Sequence, residues 1–474
     1  MRTILSLVWL PLAAIAAAAD KPNIILVMTD DQGYGDLACH GNPIIQTPHI
    51  DAFYKEAARF TDFHVSPTCS PTRSALMTGR HEFKNGVTHT INERERLTLK
   101  AFTTAQLLKS AGYTTGIFGK WHLGDEADHQ PDKRGFDEVF IHGAGGIGQT
   151  YVGSCGDAPD NKYFNPALLH NGKFEKTTGY CTDLFFGQAL KWIDAQRTKG
   201  RPFFAYITPN CPHAPLDCPP QYEAKYTRKV PPNVAKFYGM ISNIDDNFGA
   251  LISKLKEWGL EKDTLVIFMT DNGSATGSQT FNAGMSGAKG SPWQGGTRVP
   301  ALWRWPGGFA GGRDIPVLTA HIDIFPTFAE ITGAKPPAEF ARQVEGRSLL
   351  PLLKDAKATW ADRYLVTHVG RWEKGQAAQS HYAACSIRNS RYTLVNLPRQ
   401  GEKWELFDLQ SDPGEKSNVA AEHPAIVKEL KGQLDKFWDE TTPLLVNEDA
   451  VYSGQNPFKV LYWKQFGGGP EKLP

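Results

Sequence analysis

Residues 23–36 read NIILVMTDDQGYGD, and residues 264–273 read TLVIFMTDNG. Each is a short apolar run without polar alternation, and each closes on acidic or amide side chains beside glycine. Runs of this kind read as strands buried on both faces, as inside a parallel sheet. Helical stretches lie at 103–113 (TTAQLLKSAGY), 182–196 (TDLFFGQALKWIDAQ) and 238–260 (YGMISNIDDNFGALISKLKEWGL). Further strands are expected at 114–118 (TTGIF) and 202–208 (PFFAYIT). Strands alternating with helices predict an α/β fold: a large open, mostly parallel sheet with helices on both faces.

From residue 361 the texture changes. RYLVTHVG, YAACSIRN, RYTLVNLP and WELFDL are short strand-like runs, followed by HPAIVKELKGQLDKFWDE. In that last stretch Ile426, Val427, Leu430, Leu434, Phe437 and Trp438 share one helical face. A smaller α+β unit with an antiparallel sheet and a packed helix is therefore expected over 361–474, after a larger unit at 20–360. The 474 residues suit this division, since single cores stop growing near about 250–300 residues.

The opening MRTILSLVWLPLAAIAAAAD carries one positive charge, then an apolar stretch and small residues before Asp20, the pattern of a secretory signal peptide over 1–19. Its apolar run is shorter than the ~20 residues that span a bilayer, and no later run is long enough. A secreted or periplasmic protein with no membrane insertion is expected. Lys plus Arg is 51 against 50 for Asp plus Glu, with no basic run, so nucleic acid is not an expected partner. The Gly-rich stretch GAGGIGQTYVGSCG at 143–156 has no obvious helix after it and reads as a flexible loop rather than a dinucleotide site.

In an open α/β sheet, ligands bind beyond the carboxyl ends of the strands. Asp30 and Asp31 occupy that place on one strand, and Asp271 and Asn272 on the other. If the strands are neighbours, three carboxylates and an amide converge and repel unless a cation sits among them. An all-oxygen set suits Ca²⁺ or Mg²⁺ rather than zinc. The alternative is a pair of ordinary turns closing two strands.

The seven cysteines leave at least one unpaired, with Cys155–Cys181 and Cys211–Cys218 the most local pairings. Cys69 stands in PTCSPTRSALMTGRH, residues 67–81. Ser70 and Pro71 read as helix cap and first helical residue, with Gly79 as terminator. Cys69 thus sits where backbone N–H groups favour an anion, with Arg73 one turn on. A thiolate would be activated there, but a reactive thiol exported to an oxidising space would not stay reduced.

CSPTRSALMTGR resembles the signature of the type I sulfatases, a family of alkaline-phosphatase-like fold. The likeness continues through NIILVMTDDQGYGD, GKWHLG (119–124), PHAP (212–215), DNG (271–273), GAKGSPWQGGTRVP (287–300) and ELFDLQSDPGEKSN (405–418). The resemblance implies that an export-stage maturase converts Cys69 to formylglycine, whose hydrate attacks sulfur and then releases sulfate by C–O cleavage. It implies one Ca²⁺ held by Asp30, Asp31, Asp271, Asn272 and residue 69. Arg73 would hold the diol; Lys120 and His122, expected on one face of an extended segment, would contact diol and sulfate. His213 and Lys289 would bind sulfate near the leaving oxygen. His64, His81, His89 and His142 gain no such role. Gln294 replaces the Glu of many relatives, Thr72 the commoner Ser and Met77 the commoner Leu.

The implied function is a sulfuric-ester hydrolase acting on a sulfated small molecule or, given export, a sulfated carbohydrate. Trp293, and His381 or Arg371, are expected to border its pocket. The alternatives are a phosphodiesterase or phosphonate monoester hydrolase of the same superfamily, or a glycan-binding relative with Cys69 unmodified.

Overall fold

A computed structural model describes residues 21–452 and 454–469; the expected signal peptide lies outside the described residues. Asn23–Thr29 lies within a ten-stranded sheet. Thr264–Thr270 pairs with it in parallel, residue for residue from Asn23 opposite Thr264 to Thr29 opposite Thr270. On its other side come Phe203–Thr208, Thr114–Lys120 and Glu138–His142, all parallel. The mixed character comes from the flanks. Ala301–Arg304 runs antiparallel beside Thr264–Thr270, and Ala167–His170 and Lys173–Lys176 continue antiparallel beyond Glu138–His142.

The absence of polar alternation has a direct cause: both faces of the sheet are covered. Ile24, Leu26 and Met28 point into a core with Leu76, Met77, Ala105, Leu108, Ile324 and Phe328. Ile25 and Val27 point into a second core with Phe185, Phe186, Ile193, Ile244, Phe248 and Leu251. Each such aliphatic or aromatic side chain contributes about 1.5–3 kcal/mol on full burial. The expected helices are present as Thr104–Ser110, Cys181–Arg197 and Pro232–Glu257. The first opens on a reciprocal Thr103–Gln106 cap, and the third starts earlier than expected, at a proline that suits a first turn.

In the C-terminal region, Leu365–His368, Cys385–Arg388, Tyr392–Asn396 and Trp404–Asp408 form a four-stranded antiparallel sheet in chain order. Helix Pro424–Thr441 buries Leu430 and Leu434 against it. The final helix, Pro457–Phe466, returns to the large sheet, where Phe458 and Tyr462 pack on Phe174.

The local cysteine pairings fail. The Cys155 thiol lies 3.8 Å from Nε2 of His122, and Cys181 Sγ faces Cys211 Sγ at 3.8 Å. Cys218 Sγ instead faces the Pro219 carbonyl. Sequence proximity misleads because Cys181 opens a helix that packs its first turn on the loop after Phe203–Thr208.

Candidate active site

In-register pairing of the two apolar strands delivers four polar residues to one place. The Asp31 N–H donates to Asp271 Oδ1 at 3.2 Å, and Asn272 Nδ2 donates to Asp31 Oδ1 at 3.0 Å. Asp31 takes a left-handed backbone (φ 66°), a conformation aspartate tolerates better than most residues. All four side chains are buried. Three cations meet the three acids: Lys120 Nζ to Asp30 Oδ2 at 2.7 Å, Arg73 Nη2 to Asp271 Oδ2 at 2.7 Å, and Lys289 Nζ to Asp31 Oδ1 at 2.5 Å.

The charges remain uneven. Burial, partly offset by Lys120, raises Asp30 to about 6; burial and the neighbouring Asp30 raise Asp271 to about 6. Burial works against Asp31 too, but Lys289 and His213 outweigh it and hold that carboxyl below the usual range. Asp30 Oδ1 and Asn272 Oδ1 are buried with no hydrogen-bond partner among the described residues. The Asp30, Cys69 and Asp271 ligand atoms lie within 4.8 Å of one another, as do those of Asp30, Asp31 and His213. Unpaired oxygens on converging, partly repelling acids fit a hard divalent cation.

Helix Cys69–Thr78 is buried along its whole length. It begins two residues earlier than expected: Thr68 is the cap position and Cys69 the first helical residue, while Gly79 (φ 71°) ends it as foreseen. The Ser70 hydroxyl, expected to cap, donates to the Glu95 carbonyl instead. Burial would raise the Cys69 thiol, but Lys120 and Lys289 prevail and lower it. Arg73 is held by Asp271, the Lys120 carbonyl and the Thr208 hydroxyl, so its head group is fixed beside residue 69.

Lys120 and His122 do not share one extended face. Lys120 ends its strand, and His122 has turned into a left-handed conformation (φ 59°). His122 Nε2 donates to the Thr90 carbonyl at 2.7 Å, and burial with the Lys120 charge holds the imidazole well below its usual value. His213 Nε2 lies 3.8 Å from Asp31 Oδ2, and the Tyr163 hydroxyl fixes the His213 carbonyl at 2.6 Å. Burial lowers His213 as well. Thr90, Thr208 and Tyr163 carry no signal in the sequence that separates them from other hydroxyl residues.

The glycine-rich loop, expected to be flexible, is a wall of this site. Asp157 accepts from the N–H groups of Gly143 and Gly148, and Asp125 from those of Ala144 and Gly156. A Cβ at Gly145 would stand 2.7 Å from His122, and one at Gly146 would stand 3.3 Å from His213. Close approach, not flexibility, explains these glycines. Of the three expected rim residues, Trp293 lies in the Lys289 loop and packs on Phe407. Arg371 donates to the Thr90 hydroxyl, next to His122. His381 instead stacks on Tyr382 and Trp438 beside Asp435.

Residues 22–334 match the sulfatase family model, and residues 291–440 match that of the C-terminal region of N-sulphoglucosamine sulphohydrolase. The chain belongs to the sulfatase family. It is 34% identical to N-acetylgalactosamine-6-sulfatase of Mus musculus over 74% of this chain and 69% of that protein. It is 31% identical to arylsulfatase A of Homo sapiens over 89% of each. A crystal structure of Ps i-CgsB in complex with k-i-k-neocarrahexaose superposes with TM-score 0.76 at 30% identity, covering 88% of this chain and 93% of that one. This sulfatase is accordingly a sulfuric-ester hydrolase. No helix of the described residues is long and apolar enough to cross a membrane. At the position where many sulfatases carry Glu, the Gln294 amide donates to the Pro413 carbonyl at 2.9 Å, and its N–H donates to Glu415.

Proposed function

We propose that this sulfatase removes sulfate from a sulfated carbohydrate, using residue 69 as formylglycine beside one Ca²⁺ ion. The observation that carries the reading is the gathering of Cys69 with Asp30 and Asp271 inside 4.8 Å at a helix start. The hydrated aldehyde would supply an attacking oxygen and a second hydroxyl that lets sulfate leave by C–O cleavage; the cation, held by Asp30, Asp31, Asp271 and Asn272, would favour the deprotonated form.

The remaining work belongs to the chain's own side chains. Arg73 orients residue 69, its guanidinium pinned by three partners. Lys120 and Lys289 bring two ammonium groups to the same place, donors that a multiply charged sulfate needs in a dry pocket. His122, kept neutral, spends its one N–H on the Thr90 carbonyl, which leaves its unpartnered Nδ1 to accept from a hydroxyl of the diol. His213 gives its Nδ1 proton to the Ala214 carbonyl and turns Nε2 toward Asp31 at 3.8 Å, beside the place where the leaving alcohol departs. We assign catalysis to residues 20–360, with 361–474 as the smaller unit, in an exported protein matured by a formylglycine-generating enzyme. The carbohydrate reading is supported by relatives named for N-acetylgalactosamine 6-sulfate and by the neighbour crystallised with a neocarrahexaose.

The test is co-expression with a maturase, peptide mass spectrometry at residue 69, and assay on sulfated mono- and polysaccharides with and without chelator. The expected result is the aldehyde mass and chelator-sensitive sulfate release. An unmodified thiol in active enzyme would overturn the mechanism, and faster cleavage of phosphonate esters would move the chain to its runner-up activity.

A further inference from the structure

We propose a second anion site beside the catalytic centre, which takes a further sulfate or carboxylate of the same carbohydrate chain. The site is a cavity of about 80 Å³ whose charged walls are Arg94, Arg371, Lys374, Glu373 and Glu448, with His89 among them. The proposal rests on the carbohydrate reading above.

Three cations face two carboxylates there, and one carboxylate is already committed. Glu448 accepts from the Thr88 hydroxyl at 2.7 Å and from the Trp372 indole at 2.5 Å, and it pairs with Arg94 Nε at 3.3 Å. The guanidinium groups are less well served. Arg94, only 4% exposed, donates through Nη1 to the Trp372 carbonyl, while its Nη2 has no partner among the described residues. Arg371 donates through Nη2 to the Thr90 hydroxyl at 3.1 Å, while its buried Nε has none. With Arg94 paired to Glu448, the cavity is left with Arg371 and Lys374 against Glu373, one positive charge in excess, which calls for an anion.

His89 adds a third donor. Its Nδ1 accepts from the N–H groups of Thr90 and Ile91, which leaves the proton on Nε2. Burial and the nearby Arg371 and Arg94 charges keep the ring neutral, with its pKa lowered to about 3. At about 30 Å³ per water, the cavity has room for one tetrahedral or carboxylate anion and not for a sugar ring. Its position relates it to catalysis. Arg371 holds the Thr90 hydroxyl, and the Thr90 carbonyl holds His122. An anion seated on Arg371 is therefore three hydrogen bonds from the catalytic histidine, and a sugar chain can present one group to each site.

Lys374→Ala and Arg371→Gln are the test variants, assayed on a carbohydrate with one sulfate and on the same carbohydrate with two. Both variants are expected to raise KM for the disulfated substrate about tenfold, the loss of one charge-assisted contact, and Lys374→Ala, whose ammonium touches neither Thr90 nor His122, is expected to leave kcat unchanged. Lys374→Ala is expected to leave KM for the monosulfated substrate unchanged. Calorimetric binding of the same two carbohydrates to Cys69→Ala protein, with and without Lys374→Ala, reads the site without turnover and should show the same tenfold difference. Equal effects on both substrates, or none on either, would overturn the proposal. So would a rise in monosulfated turnover on adding inorganic sulfate to wild type but not to Lys374→Ala, because the site would then serve a free anion. Absence of any sulfate release from wild type, with disulfated binding still dependent on Lys374, would defeat the catalytic reading and leave this site standing.

Discussion

Two clusters of buried charge sit on this fold, and they are finished differently. At the junction of the large sheet with the C-terminal sheet, Arg363 grips both oxygens of Asp323, which also accept from the N–H groups of Ala320 and Arg347. Nearby, Arg388 and His64 meet Asp62; burial opposes them, but they hold that carboxyl below the usual range. Every oxygen of these two acids is used within the chain. At the strand ends the acids are as deeply buried as Asp323 and more so than Asp62, yet Asp30 Oδ1 and Asn272 Oδ1 are left over, and Asp30 and Asp271 are raised to about 6. Acids whose every oxygen is used serve the fold; a cluster with leftover carboxylate and amide oxygens is built for something outside it.

That difference predicts opposite responses to substitution. Cys69→Ala should lower sulfate-ester turnover by at least ~10³-fold, since the proposed nucleophile is gone, while the melting temperature stays near wild type. A large drop in melting temperature would blur the distinction. Arg363→Ala should do the reverse. It leaves Asp323 buried and uncompensated at a cost of about 3–5 kcal/mol in denaturant unfolding, with kcat per folded molecule retained. Loss of kcat at constant folded fraction would show that the junction also serves the site.

The contrast also explains what was legible in the sequence. The metal-type cluster was, because both strands end in acidic or amide runs and their apolar lengths match, so parallel pairing forces the ends together. Lys120 and His213 were legible only through resemblance to the sulfatases, since a lysine at a strand end and a histidine after proline are common. The loop 143–156 was misread because glycine signals both freedom and close approach, and only the neighbours His122 and His213 tell them apart. The helix start at Cys69, two residues early, reflects the weak side-chain preference at a cap that makes no side-chain bond. The junction pairs were invisible: Arg363 and Asp323 are 40 residues apart with no pattern joining them.

A third prediction sharpens the comparison through pH. Glu95 lies behind helix Cys69–Thr78, where burial raises it to about 7. Its folded value exceeds its unfolded one, so its contribution to stability is present below about 4.5 and is lost as pH rises through about 7. Glu95→Gln, which still accepts from Ser154, should flatten the fall in stability between pH 5 and 8 by about 3 kcal/mol, read from urea midpoints. An unchanged slope would remove Glu95 from the account. The smallest effect concerns Gln294. Gln294→Glu loses the donor to Pro413 and sets a second carboxylate against Glu415, itself raised to about 7 by burial. A cost of about 1 kcal/mol is expected, with kcat unchanged.

The central claim is that the leftover oxygens at the strand ends gather a divalent ion beside residue 69. Titration calorimetry of Ca²⁺ into chelator-stripped protein tests it directly. One ion per chain is predicted, with binding weakened at least about tenfold in Asp30→Asn, the loss of one charged ligand. No binding heat in the wild type, or equal affinity in Asp30→Asn, would contradict it.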